Sequence, residues 1–144
     1  MVVRQISIFM ENKKGRLASV VKLLSENNIN LIAACVADTT DFGILRCMAD
    51  KTDEALKLLQ SAGFMANAAE VLAVEVPDHP GGLARVLTVF DENNIGVEYM
   101  YSFVKSKGGC ALIAFRVEET SRATEVLKEN GINMLSKQQV MKLQ

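Results

Sequence analysis

Two short loops gather the residues of this chain best suited to hold a ligand: Glu11-Asn12-Lys13-Lys14-Gly15-Arg16-Leu17 and Pro77-Asp78-His79-Pro80-Gly81-Gly82-Leu83. Each sets a short polar side chain, Asn12 or Asp78, ahead of a glycine and a leucine at the same spacing. Glycine lets a ligand approach the backbone closely. A helix opening just after it offers unsatisfied N–H groups at the positive end of its dipole. Gly15, Arg16 and Leu17, or Gly81, Gly82 and Leu83, can therefore donate to a carboxylate while Asn12 or Asp78 accepts from an ammonium group. The same residue types also cap strand-to-helix turns for purely structural reasons, so the loops alone leave both readings open.

The neighbouring groups are read in the same two ways. His79, the sole histidine, either donates to a ligand carboxylate or is solvated, and Pro80 stiffens the turn beside it. Lys13, Lys14 and Arg16 either form a solvated loop edge or meet an acidic group on a ligand. No metal is expected, because neither a second histidine nor a cysteine lies near His79. No catalytic residues are assigned and no cofactor is expected. The chain has no nucleophile with its base, no Gly-x-Gly-x-x-Gly and no Gly-x-x-x-x-Gly-Lys-Ser/Thr.

The elements that must position these loops occur twice. A shift of 66 places lays Gly15-Arg16-Leu17-Ala18-Ser19-Val20 on Gly81-Gly82-Leu83-Ala84-Arg85-Val86, and Glu26-Asn27-Asn28-Ile29 on Glu92-Asn93-Asn94-Ile95. Later the shift is 68, laying Ala55-Leu56-Lys57-Leu58-Leu59 on Ala123-Thr124-Glu125-Val126-Leu127 and Gly63 on Gly131. The two extra residues belong to the loop around Lys105 to Gly109, where an insertion is tolerated.

Each copy reads as strand, helix, strand, strand, helix, strand. Ile6, Ile8 and Met10 alternate with Ser7 and Phe9, and Leu72, Val74 and Val76 with Ala73 and Glu75, the period of a strand covered on one face. Leu17, Val20, Val21 and Leu24, like Leu83, Val86, Leu87 and Phe90, form one apolar helical stripe. Asn27-Asn28 and Asn93-Asn94 stop these helices. Second strands follow over Ile29 to Ala37 and Ile95 to Val104. Thr39-Thr40-Asp41 and Ser106-Lys107-Gly108-Gly109 turn into third strands at Ile44 to Met48 and Cys110 to Val117. Thr52 and Thr120 are expected N-caps of helices ending at Gly63 and Gly131. Fourth strands are expected at Phe64 to Ala69 and Ile132 to Gln139, with a few-residue linker and a domain boundary near Glu70. The domains are thus residues 1–70 and 71–144.

With 16 basic and 17 acidic residues, the chain has no long-range field to gather nucleic acid or an acidic membrane. An RNA-recognition module of the same topology would carry aromatics on its central strands, and Ile44-Leu45-Arg46-Cys47-Met48 has none. No apolar run approaches the ~20 residues of a membrane span, and a cytoplasmic location is expected. Cys35, Cys47 and Cys110 form no Cys-x-x-Cys pair and read as reduced, mostly buried thiols. Met65, Met100 and Met134 read as core or interface filler.

Asp78-x-x-Gly81-x-Leu83, with Asn12-x-x-Gly15-x-Leu17 in the other copy, resembles the signature of the ACT family at this loop. The matching order of elements extends the resemblance over nearly the whole chain. It implies an α+β fold of two tandem ferredoxin-like βαββαβ domains, with antiparallel sheets side by side and helices on one face. It also implies a non-catalytic, allosteric regulatory role, with a free amino acid held between the loop of one copy and the second strand of the other. Carried over, that adds Asn30, Leu31, Ile32 and Ala33, and Val97, Glu98, Tyr99 and Met100. The first expectation is the Asp78 loop facing Asn30 to Ala33. At the reciprocal site Tyr99 and Glu98 form a bulkier, charged wall that can fill the cavity instead. Gly81→Val is expected to abolish binding and leave the fold. The alternative role is a regulatory subunit or interaction module acting on a separate enzyme of amino-acid metabolism. A homodimer is expected from exposed sheet edges.

Overall fold

The computed structural model describes residues 2–11, 13–38, 41–105 and 108–143. In chain order the elements are β1 (Val3–Glu11), α1 (Arg16–Glu26), β2 (Leu31–Asp38), β3 (Phe42–Ala49), α2 (Thr52–Ser61) and β4 (Met65–Pro77). They continue as α3 (Gly82–Glu92), β5 (Val97–Lys105), β6 (Cys110–Val117), α4 (Thr120–Glu129), β7 (Met134–Leu135) and α5 (Lys137–Met141). The chain divides into two compact units, Arg4–Ala69 (the first) and Glu70–Gln144 with Met1–Val3 (the second).

Both units are α+β and have the ferredoxin-like βαββαβ order. Strands run β2-β3-β1-β4 in the first and β5-β6-β4 in the second, where β7 also pairs with β4. The pairs of β3 with β1 and β2, and of β6 with β4 and β5, are antiparallel. Alternation puts Ile6, Ile8, Leu45 and Cys47 into one core with Val20 and Leu24 of α1 and Leu59 of α2. The second core joins Leu72, Val74, Ile113 and Phe115 to Val86, Phe90 and Leu127. There the rings of Phe90 and Phe115 meet edge to face at 5.4 Å, the arrangement their quadrupoles favour.

The helical stripe is buried to different depths in the two units. Val20 and Leu24 are enclosed, but Leu17 and Val21 remain 44% and 39% exposed. Their counterparts Leu83 and Leu87 pack against the second core.

Helices α1 to α4 end in one way. The residue after the cap, Asn28, Gly63, Asn94 or Gly131, has positive φ. The next amide, of Ile29, Phe64, Ile95 or Ile132, reaches back to the carbonyl of Leu24, Leu59, Phe90 or Leu127 at 2.9–3.0 Å. Each such pair also meets in the core of its unit, which closes the helix and aims the following chain.

Three expected details differ. Strand β4 runs unbroken over 13 residues where a linker near Glu70 was expected, because Glu70 continues the extended pattern instead of turning. Thr52 and Thr120 are first helical residues, not caps. Lys51 and Glu119 hold the cap positions without a side-chain capping bond to the helix, while the Thr52 hydroxyl donates to the Ala49 carbonyl. The last strand is only Met134–Leu135, because Ser136 and Gln139 form a capping box that starts α5.

Candidate functional site

The two strand-to-helix loops share one backbone design. Lys13 N donates to Glu11 O at 2.7 Å, Arg16 N to Lys13 O at 3.2 Å and Ser19 N to Gly15 O at 3.0 Å. In the second unit His79 N donates to Pro77 O at 2.9 Å, Gly82 N to His79 O at 3.0 Å and Arg85 N to Gly81 O at 3.0 Å. Gly15 and Gly81 hold the N-cap positions at φ of 88° and 94°, a left-handed turn that costs other residues strain.

That design corrects two expectations. The amides of Arg16 and Gly82 serve the loops themselves, and the donors next in line are those of Leu17 and Leu83, in first turns where the helix supplies no acceptor. Gly81→Val would not leave the fold untouched, since a branched side chain is strained at φ 94°. Gly82 has a structural duty as well. It is buried, and a β-carbon there would stand 2.0 Å from the Pro77 carbonyl oxygen.

Side chains distinguish the loops. In the first, Lys13 Nζ lies 2.7 Å and Arg16 Nη2 3.8 Å from Glu11 Oε2. The Lys13 hydrogen bond, then the charges of Lys13 and Arg16, hold the Glu11 carboxyl below its usual range. Lys13, Arg16 and Leu17 share a hollow of about 150 Å³ with Val36, Asp38 and Gly43. In the second loop, His79 Nδ1 is 2.9 Å from the Pro80 carbonyl, and Asp78 N donates to Gly109 O at 2.9 Å. Asp78, His79, Pro80 and Gly81 are exposed, and Leu83 is half-buried. Asn12, Thr39, Thr40, Ser106 and Lys107 lie outside the described residues.

The starts of β2 and β5 also match. Both carry an irregularity in register, at Leu31/Ala33 and at Val97/Tyr99, a feature that re-aims the side chain it displaces. Asn30 spends both backbone groups on Asp50: its amide donates to Oδ1 at 3.0 Å and its carbonyl accepts from Asp50 N at 3.1 Å. Leu31 and Ile32 are half-buried and Ala33 is buried. Glu98 accepts from Arg116 Nε at 3.2 Å, and Arg116 Nη1 donates onward to the Glu70 carbonyl at 2.8 Å. Tyr99 is half-buried, and Met100 is 39% exposed.

Within one unit the loop and the strand start do not come together. The first loop packs beside Val36 and Asp38, at the far end of β2 from Asn30, roughly 20 Å away at the rise of a strand.

A cleft escaped the sequence reading. Phe9, Met10, Glu11, Arg16, Phe42, Gly63, Phe64 and Met65 enclose about 420 Å³. Its signal was Phe9, an aromatic on the polar face of an alternating strand. Met65 is 69% exposed and so is not core, unlike Met134 at 3%. Cys47 is buried, while Cys35 and Cys110 are half-buried. Among the described residues no group of three or more His, Cys, Asp or Glu could hold a metal ion, and no helix is long and apolar enough to cross a membrane.

The family described as an ACT domain pair matches residues 1–144. No curated protein matches. A crystal structure of a protein from Bacteroides thetaiotaomicron is 39% identical, with a TM-score of 0.90 over 99% of this chain and 97% of that one. The ligand-free regulatory subunit of aspartate kinase from Thermus thermophilus shares the fold at 14% identity, with a TM-score of 0.64 over 88% and 91% of the two chains. Aspartokinase III of E. coli, in complex with lysine and aspartate, is 20% identical with a TM-score of 0.51, over 89% of this chain and 30% of that one.

Proposed function

We propose, on the premise that this chain belongs to the family of ACT domain pairs, that it is a non-catalytic regulatory protein whose strand-to-helix loops bind a free amino acid. The observation that carries the reading is the loop design found in both units: a left-handed glycine at the helix N-cap with loop carbonyls turned onto Arg16 and Gly82. The Leu17 and Leu83 amides suit a carboxylate, and Asp78 or Asn12 suits an ammonium group. The strand starts Asn30 to Ala33 and Val97 to Met100 complete the proposed ligand set, each serving the loop of the other copy. An enzyme of amino-acid metabolism is the proposed recipient of the signal. Self-association to a homodimer is supported by the exposed Leu17 and Val21 of α1 and Val36 of the edge strand β2.

A thermal-shift screen against the twenty amino acids and common anionic metabolites tests the central claim. Lysine and aspartate, named with the E. coli structure, are its first members. A ligand at 100 times its Kd adds about 2.7 kcal/mol, a shift of several degrees. A hit that Asp78→Ala or Asn12→Ala weakens, with the unliganded melting point unchanged, supports the loop site. A hit insensitive to both, or no hit at all, sinks it. Weakening by Ile32→Glu of a ligand also held by Asp78 would support the shared site. Pulldown of an enzyme from extract only when the ligand is present would support the regulatory partner.

A further inference from the structure

Equivalent hollows occur in the two units, and most of their lining residues correspond at the shifts of the repeat. Phe9, Glu11, Arg16, Phe42, Phe64 and Met65 of the first stand where Glu75, Pro77, Gly82, Cys110, Ile132 and Asn133 stand in the second. The first measures about 420 Å³ and the second about 180 Å³.

Chemistry explains the difference. In the second unit Asn133 Nδ2 donates to Glu75 Oε2 at 2.8 Å, and Glu75 N donates to Asn133 O at 2.9 Å. Backbone and side chains thus clasp the two rims together. In the first unit the same two places hold Phe9 and Met65, whose side chains cannot form the side-chain bond and stay 40% and 69% exposed, beside Phe42 at 58%. Exposed aromatic area of this kind is costly to leave in water.

The rim tells what would cover it. Arg16 and Glu11 line the cleft, and the Glu11 carboxylate is held by Lys13 at 2.7 Å while Arg16 stands 3.8 Å from it, which leaves the guanidinium as the cation beside the apolar lining. A concave apolar lining with a few convergent polar groups, at several hundred Å³, is what small-molecule sites share. We propose that the cleft of the first unit is a ligand site for a small apolar carboxylate, its aromatic or branched body against Phe9, Phe42, Phe64 and Met65 and its carboxylate toward Arg16. This site uses no residue of β2 or β5, shares Glu11 and Arg16 with the first loop but none with the second, and stands whether or not the loops bind an amino acid. The second unit has given up the same site through the Glu75–Asn133 clasp.

The test transplants the clasp. The doubly substituted F9E/M65N protein places the second unit's residues on two exposed positions, so the fold should survive. Probes are 8-anilinonaphthalene-1-sulfonate, read by fluorescence, and its displacement by 3-phenylpropionate, with 3-phenylpropanol as the uncharged control. The expected result is saturable binding at one site per chain, weakened about tenfold or more in F9E/M65N. Arg16→Gln should abolish the preference for the acid over the alcohol. Unchanged affinity in F9E/M65N, or no saturable binding to the wild type, overturns the proposal. A wild-type dimer in sedimentation that F9E/M65N dissociates overturns it too, in favour of a second copy covering the cleft. Amino-acid thermal shifts should be the same in F9E/M65N and wild type, which separates failure here from failure of the loop reading.

Discussion

A β-carbon on Gly82 would stand 2.0 Å from the carbonyl oxygen of Pro77, whereas the matching position of the first loop is Arg16. The second loop is therefore wound more tightly onto its helix than the first. Gly82→Ala should destabilise the second unit by about 2 kcal/mol, in the range of an overpacked core. Gly15→Ala meets no neighbour within 4 Å and should cost only the left-handed backbone strain, about 1 kcal/mol. Urea unfolding of both variants measures the difference, and equal costs would contradict the tight turn.

In the second unit the two long helices cap one another. Arg85 of α3 donates to the carbonyl of Asn130 at the end of α4 at 2.7 Å, and Arg122 of α4 donates to the carbonyl of Asn93 at the end of α3. The first unit has Ser19 and Glu54 at these places and lacks the arrangement. Each bond joins a cation to an orphan carbonyl at the negative end of a helix dipole, but both are exposed, so each contributes only about 0.5 kcal/mol. Arg85→Ser with Arg122→Glu should lower the unfolding free energy by about 1 kcal/mol, and by less at 1 M salt. A salt-independent loss would point to packing instead.

Asn28 and Asn94 occupy the left-handed position at φ 57° and 55° that Gly63 and Gly131 hold on the other two helices. Replacing Asn94 by Ala should cost about 1 kcal/mol, and replacing it by Gly should cost nothing or stabilise slightly. The order of the three midpoints in thermal unfolding is the check. Ala above Gly would mean that the helix end does not depend on this conformation.

Burial pushes the Cys47 thiol up to about 12 from its ordinary 9.0. The unfolded chain releases this proton first, so it binds fewer protons than the native state between those values. Stability from this group is complete below pH 9 and falls as pH rises toward 12. Denaturant titrations at rising alkaline pH should show a shallower slope in Cys47→Ala, whose lower starting stability reflects the cavity. Thiol reagents at neutral pH should reach Cys35 and Cys110 well before Cys47.

Local rules carried the reading where they act in short range. Period-two alternation identified β1 and the second half of β4, the helical stripe identified α1 and α3, and the glycines at 63 and 131 marked helix ends. The duplication supplied what local rules lack, because two weak patterns at one spacing support each other. The failures involve competition between groups. Thr52 has the chemistry of a cap, yet its hydroxyl serves Ala49. Ser136 with Gln139 made a capping box that ended the last strand early. At the site, the glycine turns were legible, but the capture of the Arg16 and Gly82 amides by loop carbonyls was not, since it depends on φ and ψ along the whole loop. The aromatic cleft needed tertiary structure outright, because β1, β3 and β4 bring Phe9, Phe42 and Met65 from three distant stretches.

Val3 is buried and Val2 packs on the core of the second unit, among residues that follow from Leu72 onward. On the ribosome these valines emerge long before their partners exist. Until the rest of the polypeptide is translated, their apolar side chains stay unburied. A chain truncated within the second half therefore leaves these two valines uncovered, an apolar surface of the kind chaperones and proteases recognise.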